Sequence, residues 1–206
     1  MHNRPGGVLS QLIKGYRRFK QQYSTGNSQL LQKLAEGQAP RVMVLACCDA
    51  RVDPALLLQC QPGDLFVARS IANFVMPFNI DSEVYQGLSA ALEFGIRQLE
   101  VADLIILGHS QCGGIEAFLN PDRLLAHNDF INRWLSLITV PDQARENSDA
   151  CAQAALLQSY QNCLSFPWIK ERVKLDLLLI HLWFFDIKTA TLSAYQPQQQ
   201  VFCPLD

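Results

Sequence analysis

No run of ~18 uninterrupted apolar residues occurs in the sequence, so a membrane-spanning helix is not expected. Excess charge is missing too: 17 Lys and Arg face 19 Asp and Glu, a formal net charge of -2 at pH 7. That balance leaves no basic footprint for nucleic acid, and no such partner is expected. The opening segment, MHNRPGGVLSQLIKGYRRFK, lacks the continuous apolar core of a secretory signal. Internal repeats and long low-complexity segments are absent, and the late QPQQQ run reads as a turn.

What the sequence does hold is apolar residues, 49% of 206, against 17% charged. These proportions suit one well-buried globular domain and argue against a disordered chain. Seven cysteines are present: Cys47, Cys48, Cys60, Cys112, Cys151, Cys163 and Cys203. An odd number in a chain of this size argues against an exported disulfide scaffold. Reduced thiols and a cytoplasmic setting are expected.

Val8 to Tyr23 carries Leu9, Leu12, Ile13, Tyr16 and Phe19 at helical spacing, with Lys14, Arg17, Arg18 and Lys20 largely between them. This predicts an amphipathic helix packed on the domain or on another subunit. Ser28 to Glu36 predicts a second helix, stopped by Gly37. The expected organisation is an N-terminal helical arm over 1–37 and one α/β domain over 38–206. In that domain RVMVLACC is an apolar run suited to a buried parallel strand. Asp53 is placed to cap a short helix opened by Pro54. A turn at Pro62-Gly63-Asp64 precedes the strand LFVAR, a helix over Ser82–Leu99, the strand DLIILG and a helix near Ile115. Helices over Asp129–Ile138 and Asp142–Gln161 and a strand in LLLIHLWFFDI complete the pattern. This alternation predicts an α/β fold, a mainly parallel central sheet flanked by helices.

Two segments carry the candidate chemistry: Cys47-Cys48-Asp49-Ala50-Arg51 and His109-Ser110-Gln111-Cys112-Gly113-Gly114. Each follows an apolar strand, and open α/β sheets bind ligands at the carboxyl ends of their strands. A His-x-x-Cys turn offers one imidazole and one thiolate, and a cysteine of the other loop offers a third ligand. Two sulfurs and one nitrogen suit tetrahedral zinc with a fourth position left for water or substrate. Adjacent side chains at a strand end point to opposite faces, so Cys47 is assigned to the metal and Cys48 to the core. Buried free cysteines produce the same pattern without a metal, and spacing alone leaves both readings open. A vicinal-thiol redox site matches less well, since no Cys-x-x-Cys turn is present.

The sequence resembles the β-class carbonic anhydrases in CCDARVDP, GDLFVARSIANFV, LEFGIRQLEV, LIILGHSQCGGI, FPWIKERV and FDIKTATLSAY. These pieces stand in family order from about Gln38 to Leu205. The resemblance implies the β-carbonic anhydrase fold, with one Zn2+ per chain held by Cys47, His109 and Cys112. It implies reversible hydration of carbon dioxide to bicarbonate and a proton, assisted by an Asp49–Arg51 dyad. Zinc lowers the pKa of bound water, ionised Asp49 accepts a hydrogen bond from the resulting hydroxide, and Arg51 keeps Asp49 ionised. Two thiolates offset the metal's charge, so activity should rise toward alkaline pH.

Likeness to the plant-type branch implies that Phe66, Ile71 and Phe94 line an apolar substrate pocket. It also implies that the Gln38 amide donates to a substrate oxygen, and that Gly113 and Gly114 bring the backbone close to the zinc. The family builds its cleft from two subunits, which implies a homodimer or a higher even-numbered assembly. Val44 stands where another branch has a tryptophan marking an allosteric bicarbonate pocket, which favours an open, water-bound site. Four positions depart from the family pattern: Cys48 for serine, Ser70 for asparagine, Asp176 for glycine and Leu182 for glycine. Leu182 is expected to alter strand packing or the subunit edge, and Ser70 to loosen support around Arg69. His2, His127 and His181, like Cys60, Cys151, Cys163 and Cys203, are expected to be structural or surface residues. The competing readings are a zinc hydrolase of a related small molecule such as carbon disulfide, and a zinc-stabilised scaffold with weakened catalysis. The intact Asp49–Arg51 pair disfavours the scaffold.

Overall fold

The computed structural model describes residues 7–26, 28–79, 86–123 and 129–205. Its contacts divide the chain into two compact units, Met1–Ala39 and Pro40–Asp206. In the first unit, α1 spans Val8–Gln21, continues as a π-turn over Gln22–Gly26, and is followed by α2, Ser28–Glu36. The expected Val8–Tyr23 helix thus widens at its last residues, where Tyr23 is buried and its ring lies 4.6 Å from that of Phe19. Leu9, Leu12 and Tyr16 form an exposed apolar stripe on α1.

The second unit is built on six strands: β1 Val42–Cys47, β2 Leu65–Ser70, β3 Asp103–His109, β4 Leu179–Asp186, β5 Thr191–Gln196 and β6 Val201–Pro204. Their order is β2-β1-β3-β4-β5-β6. The β2, β1, β3 and β4 strands are mutually parallel, whereas β5 and β6 return antiparallel. The chain runs from β1 to its neighbour on one side, β2, and then crosses to β3 on the other. Their carboxyl ends therefore flank a point where the connections diverge, the crevice that α/β sheets use for ligands.

Helices fill the spaces between strands. Asp53 caps α3, Pro54–Leu57, its Oδ1 accepting the Leu56 N–H at 3.1 Å, with Pro54 in the first turn. The region expected to be helical over Ser82–Leu99 is α4, Gln86–Glu93, running into a π-turn over Phe94–Gln98; Ser82–Tyr85 lies outside the described residues. Next come α5, Gly113–Leu119, and α6, Asp129–Leu135. The expected Asp142–Gln161 helix is broken: a 3₁₀ turn over Asp142–Glu146 ends at extended Asn147, whose side chain caps α7, Ser148–Leu164. Phe166 and Pro167 then start α8, Pro167–Lys174. No helix of the described residues is long and apolar enough to cross a membrane.

One sheet face carries Met43, Leu45, Leu104, Ile106 and Phe184 against Leu92, Ile115, Leu156 and Ile169 of the helices. The other carries Val44, Ala46, Ile105 and Leu107 against Val52 and Leu57. Each large side chain fully buried here contributes about 1.5–3 kcal/mol relative to exposure. Gly108 of β3 makes one contact especially tight: a Cβ there would lie 2.6 Å from Leu156 Cδ1 and 3.1 Å from its Cγ. Leu156 is fully buried and has nowhere to retreat. Gly108→Ala is therefore expected to cost about 1–3 kcal/mol and lower the melting temperature by roughly 3–10 °C. Thermal unfolding followed by circular dichroism measures this, and an unchanged midpoint would contradict the packing.

Three departures from the family pattern acquire physical form. Asp176, in place of glycine, adopts φ +54 just beyond α8, a left-handed conformation that aspartate tolerates better than most residues. Leu182 bears on strand packing: β4 lies between β3 and β5, and Leu182 is buried in the main core. Ser70 is buried, its hydroxyl donating to the Phe74 carbonyl at 3.0 Å.

Candidate metal centre

β1 ends at Cys47 and β3 at His109, parallel neighbours in the sheet, and the turn after β3 delivers Cys112 to the start of α5. Separations of 62 and 65 residues in the chain are thereby reduced to one cluster, in which the three ligand atoms all lie within 4.8 Å of one another. All three side chains are buried, and the Cys47 and Cys112 sulfurs are 3.8 Å apart.

His109 supplies the most telling atom. Its Nδ1 lies 2.9 Å from the Ser110 carbonyl, which assigns the ring proton to Nδ1 and leaves the lone pair on Nε2. Nε2 itself is buried without a hydrogen-bond partner. An uncompensated buried nitrogen is costly unless something binds it, and a backbone carbonyl on the opposite ring nitrogen is how proteins fix a metal-binding imidazole. Two sulfurs and one such nitrogen fit zinc.

The two sulfurs share one proton: the adjacent Cys112 thiol stabilises the Cys47 thiolate and lowers its pKa, while the same pairing pushes Cys112 up. Burial pushes His109 down, but the Cys47 sulfur, the Ser110 carbonyl and the Asp49 carboxylate together outweigh it and the net shift is upward.

Asp49 and Arg51 stand at the rim. Arg51 Nε donates to Asp49 Oδ1 at 2.9 Å and Nη2 to Oδ2 at 2.7 Å, a bidentate pair, and the Arg51 backbone N–H adds a bond to Oδ1 at 3.0 Å. This grip holds the Asp49 carboxyl well below the usual carboxylate range. Asp49 Oδ2 is 3.9 Å from His109 Nε2, so the carboxylate faces the triad while remaining bound to Arg51. The arginine is anchored in turn by donating to the Gln111 carbonyl at 2.9 Å.

Arg69, which the sequence raised only as a neighbour of Ser70, clamps the whole Cys47–Asp53 loop. Its Nε donates to the Cys47 carbonyl, and Nη2 donates to those of Asp49 and Val52, each at 2.8 Å; Nη1 reaches Asp53 at 3.3 Å. Arg69 makes these four bonds with Ser70 beside it, whose own hydroxyl is turned to Phe74. Ser110 ties β3 to β4: its hydroxyl accepts the Ile187 N–H at 2.9 Å. Neither role had a signal in the sequence, because the partners stand 16 to 77 positions away.

The remaining expected site residues separate into groups. Ile71 follows Ser70, the residue paired with Cys47, and is 37% exposed at the metal end of the sheet. It touches the glycine turn: a Cβ on Gly114 would lie 2.8 Å from Ile71 Cγ2, whereas one on Gly113 would meet open space. Phe66 and Phe94 pair with each other, ring centroids 5.8 Å apart, and Phe94 is 45% exposed. Phe66 is in register with Met43, four residues before Cys47 and hence ~13 Å further down the strand. Gln38 belongs to the first unit and is exposed. Cys48 is not core filling: the strand has ended, and its side chain is exposed. Cys151 and Cys163 are buried, Cys60 and Cys203 partly so. His181 pairs with Asp103 at 2.8 Å, away from the triad at the other end of β3; His2 and His127 lie outside the described residues.

Residues 42–192 match the family described as Carbonic anhydrase. Beta carbonic anhydrase 3 of Arabidopsis thaliana is 31% identical over 202 residues, covering 92% of this chain and 77% of that protein. Beta carbonic anhydrase 5, chloroplastic, of the same plant is 30% identical over 91% of this chain, which spans 65% of its length. Among solved structures, the β-carbonic anhydrase CcaA superposes with a TM-score of 0.87 at 26% identity, covering 96% of this chain and all of that one. The chain belongs to the β-class carbonic anhydrases.

Proposed function

We propose that the protein catalyses the reversible hydration of carbon dioxide to bicarbonate and a proton, using one zinc ion per chain held by Cys47, His109 and Cys112. The observation that carries this reading is the bare, buried His109 Nε2 beside two sulfurs, with the Arg51-bound carboxylate of Asp49 facing it. Bound zinc would supply the Lewis acidity that makes water a nucleophile near neutral pH. Asp49 Oδ2 accepts a hydrogen bond from the attacking water and orients its lone pair toward the substrate carbon. Arg51 keeps that oxygen an acceptor by holding the carboxyl ionised. Ile71 and the Gly113–Gly114 turn supply an apolar wall suited to a small uncharged gas.

Phe66 and Phe94, paired and partly exposed but displaced from the triad along the sheet, suit a second copy's cleft better than their own. This favours the homodimer, or a higher even-numbered assembly, with Gln38 as a further substrate contact. The seven thiols suit a reducing compartment, and we place the protein in the cytoplasm. Zinc content and stopped-flow carbon dioxide hydration test the reading directly. Stoichiometric zinc without hydration would sink it.

The dyad gives a pH signature. Asp49's pKa is depressed, so its ionised form persists as pH falls. Removing the guanidinium raises that pKa toward or above the unperturbed value of ~3.9. Arg51→Gln is expected to shift the acid limb of activity to higher pH, with little extra loss at about pH 5.5 and a several-fold extra loss only as pH falls from about 8 to about 3.5. Initial rates across that range measure the effect, and an acid limb coincident with that of the unmodified protein would refute it.

A further inference from the structure

The turn carrying two of the metal-site ligands is held from a direction the family motifs do not include. Gln111, between His109 and Cys112, adopts φ +52, a left-handed conformation that is unfavourable for a residue with a side chain. Both of its backbone groups are occupied. Its N–H donates to Asp149 Oδ1 at 2.9 Å, and its carbonyl accepts from Arg51 Nη2 at 2.9 Å. Asp149 stands in the first turn of α7, 38 residues further along the chain, and is itself fixed: its backbone N–H donates to Asn147 Oδ1 at 2.8 Å. A continuous series of contacts thus runs from α7 through the Gln111 backbone to Arg51, and from Arg51 Nη2 to Asp49 Oδ2 at 2.7 Å.

We propose that Asp149 is a positioning residue for the carbonic anhydrase centre, locking Gln111 in its left-handed conformation so that the ligand turn and the Arg51 anchor are held in register. The inference rests on the function proposed above. A carboxylate accepting a backbone N–H makes a strong, directional bond, and here it holds a conformation from which the turn would otherwise relax. Relaxation would shift the Gln111 carbonyl away from Arg51 and move His109 and Cys112 relative to Cys47. Asp149 touches neither metal site nor substrate, so its contribution is to geometry alone. Groups of this kind typically alter metal affinity or activity by ~10–100-fold when removed.

The test uses Asp149→Ala and Asp149→Asn in the full-length zinc-loaded protein, each alone and combined with Arg51→Ala. The measurements are hydration kcat and KM, the rate of zinc release to excess EDTA, and the melting temperature. Asp149→Ala is expected to lower kcat about tenfold with KM within about twofold, and to speed zinc release about tenfold. Asp149→Asn, which keeps an acceptor oxygen, is expected to recover both to within about threefold. In the Arg51→Ala background the kcat effect of Asp149→Ala should shrink, because the route through Arg51 is gone and only the displacement of His109 and Cys112 remains. Asp149→Ala with unaltered kcat and zinc release, whether or not it melts earlier, would overturn the proposal. So would an undiminished kcat loss when Arg51 is already absent. Should the unmodified protein not hydrate carbon dioxide, the proposed function fails while the zinc-release measurement still decides the role of Asp149.

Discussion

Cys112→Ser is expected to reduce bound zinc from stoichiometric to under a tenth and hydration by roughly a thousandfold or more. Serine is nearly isosteric, so the core around this fully packed position should survive. What it lacks is an ionisable sulfur: a hydroxyl stays protonated at neutral pH and offers a much poorer soft ligand. The site would then present one sulfur and one nitrogen, too few for tight binding. Metal analysis after dialysis, with circular dichroism as a check on folding, measures the first effect, and stopped-flow hydration the second. Stoichiometric zinc in a folded Cys112→Ser protein would remove Cys112 from the ligand set.

Asp49→Asn separates catalysis from metal binding. Zinc content should remain stoichiometric, because all three proposed ligands are untouched, while kcat should fall by about 10²–10³. The amide is the same shape as the carboxylate but brings an NH2 donor and no charge. Arg51 offers only donors to it, so the amide oxygen turns toward Arg51 and the NH2 toward the triad. A donor would then face a position where an acceptor is required. Hydration within about threefold of the unmodified protein would show that Asp49 does not orient the nucleophile, and loss of zinc would instead implicate it in metal retention.

The parallel strands were legible because both faces are covered, which forces near-continuous apolar runs such as VMVLAC and DLIILG. The Asp53–Pro54 helix start was equally plain, since a cap is a local device. The β5–β6 hairpin escaped because its strands are only partly buried, with no apolar run to betray them. The break at Asn147 was hidden by a helical pattern continuing on either side of one extended residue. At the site, spacing alone left the Cys47, His109 and Cys112 group open to a metal or to buried free thiols, and the resemblance to the β-class carbonic anhydrases is what singled out that group and the Asp49–Arg51 pair. Arg69, Gln111 and Asp149 could not be singled out. Their contribution is made by a backbone carbonyl, a backbone conformation or a single distant bond, and none of these leaves a mark on residue identity.

The helix α7 meets the metal-site end of the sheet twice. Asp149 reaches the Gln111 turn, while Ser159 and Asn162 hold the segment after Ile71, bonding to Asn73 and Val75. Ten residues separate the first anchor from the second, a span of ~15 Å along the helix axis. Both anchors must face the sheet at once, and one residue inserted between them would rotate one against the other by ~100°. The length of α7 is consequently a gauge for the site: the interval between Asp149 and Ser159 sets how far the Gln111 turn is held from the Asn73–Val75 segment.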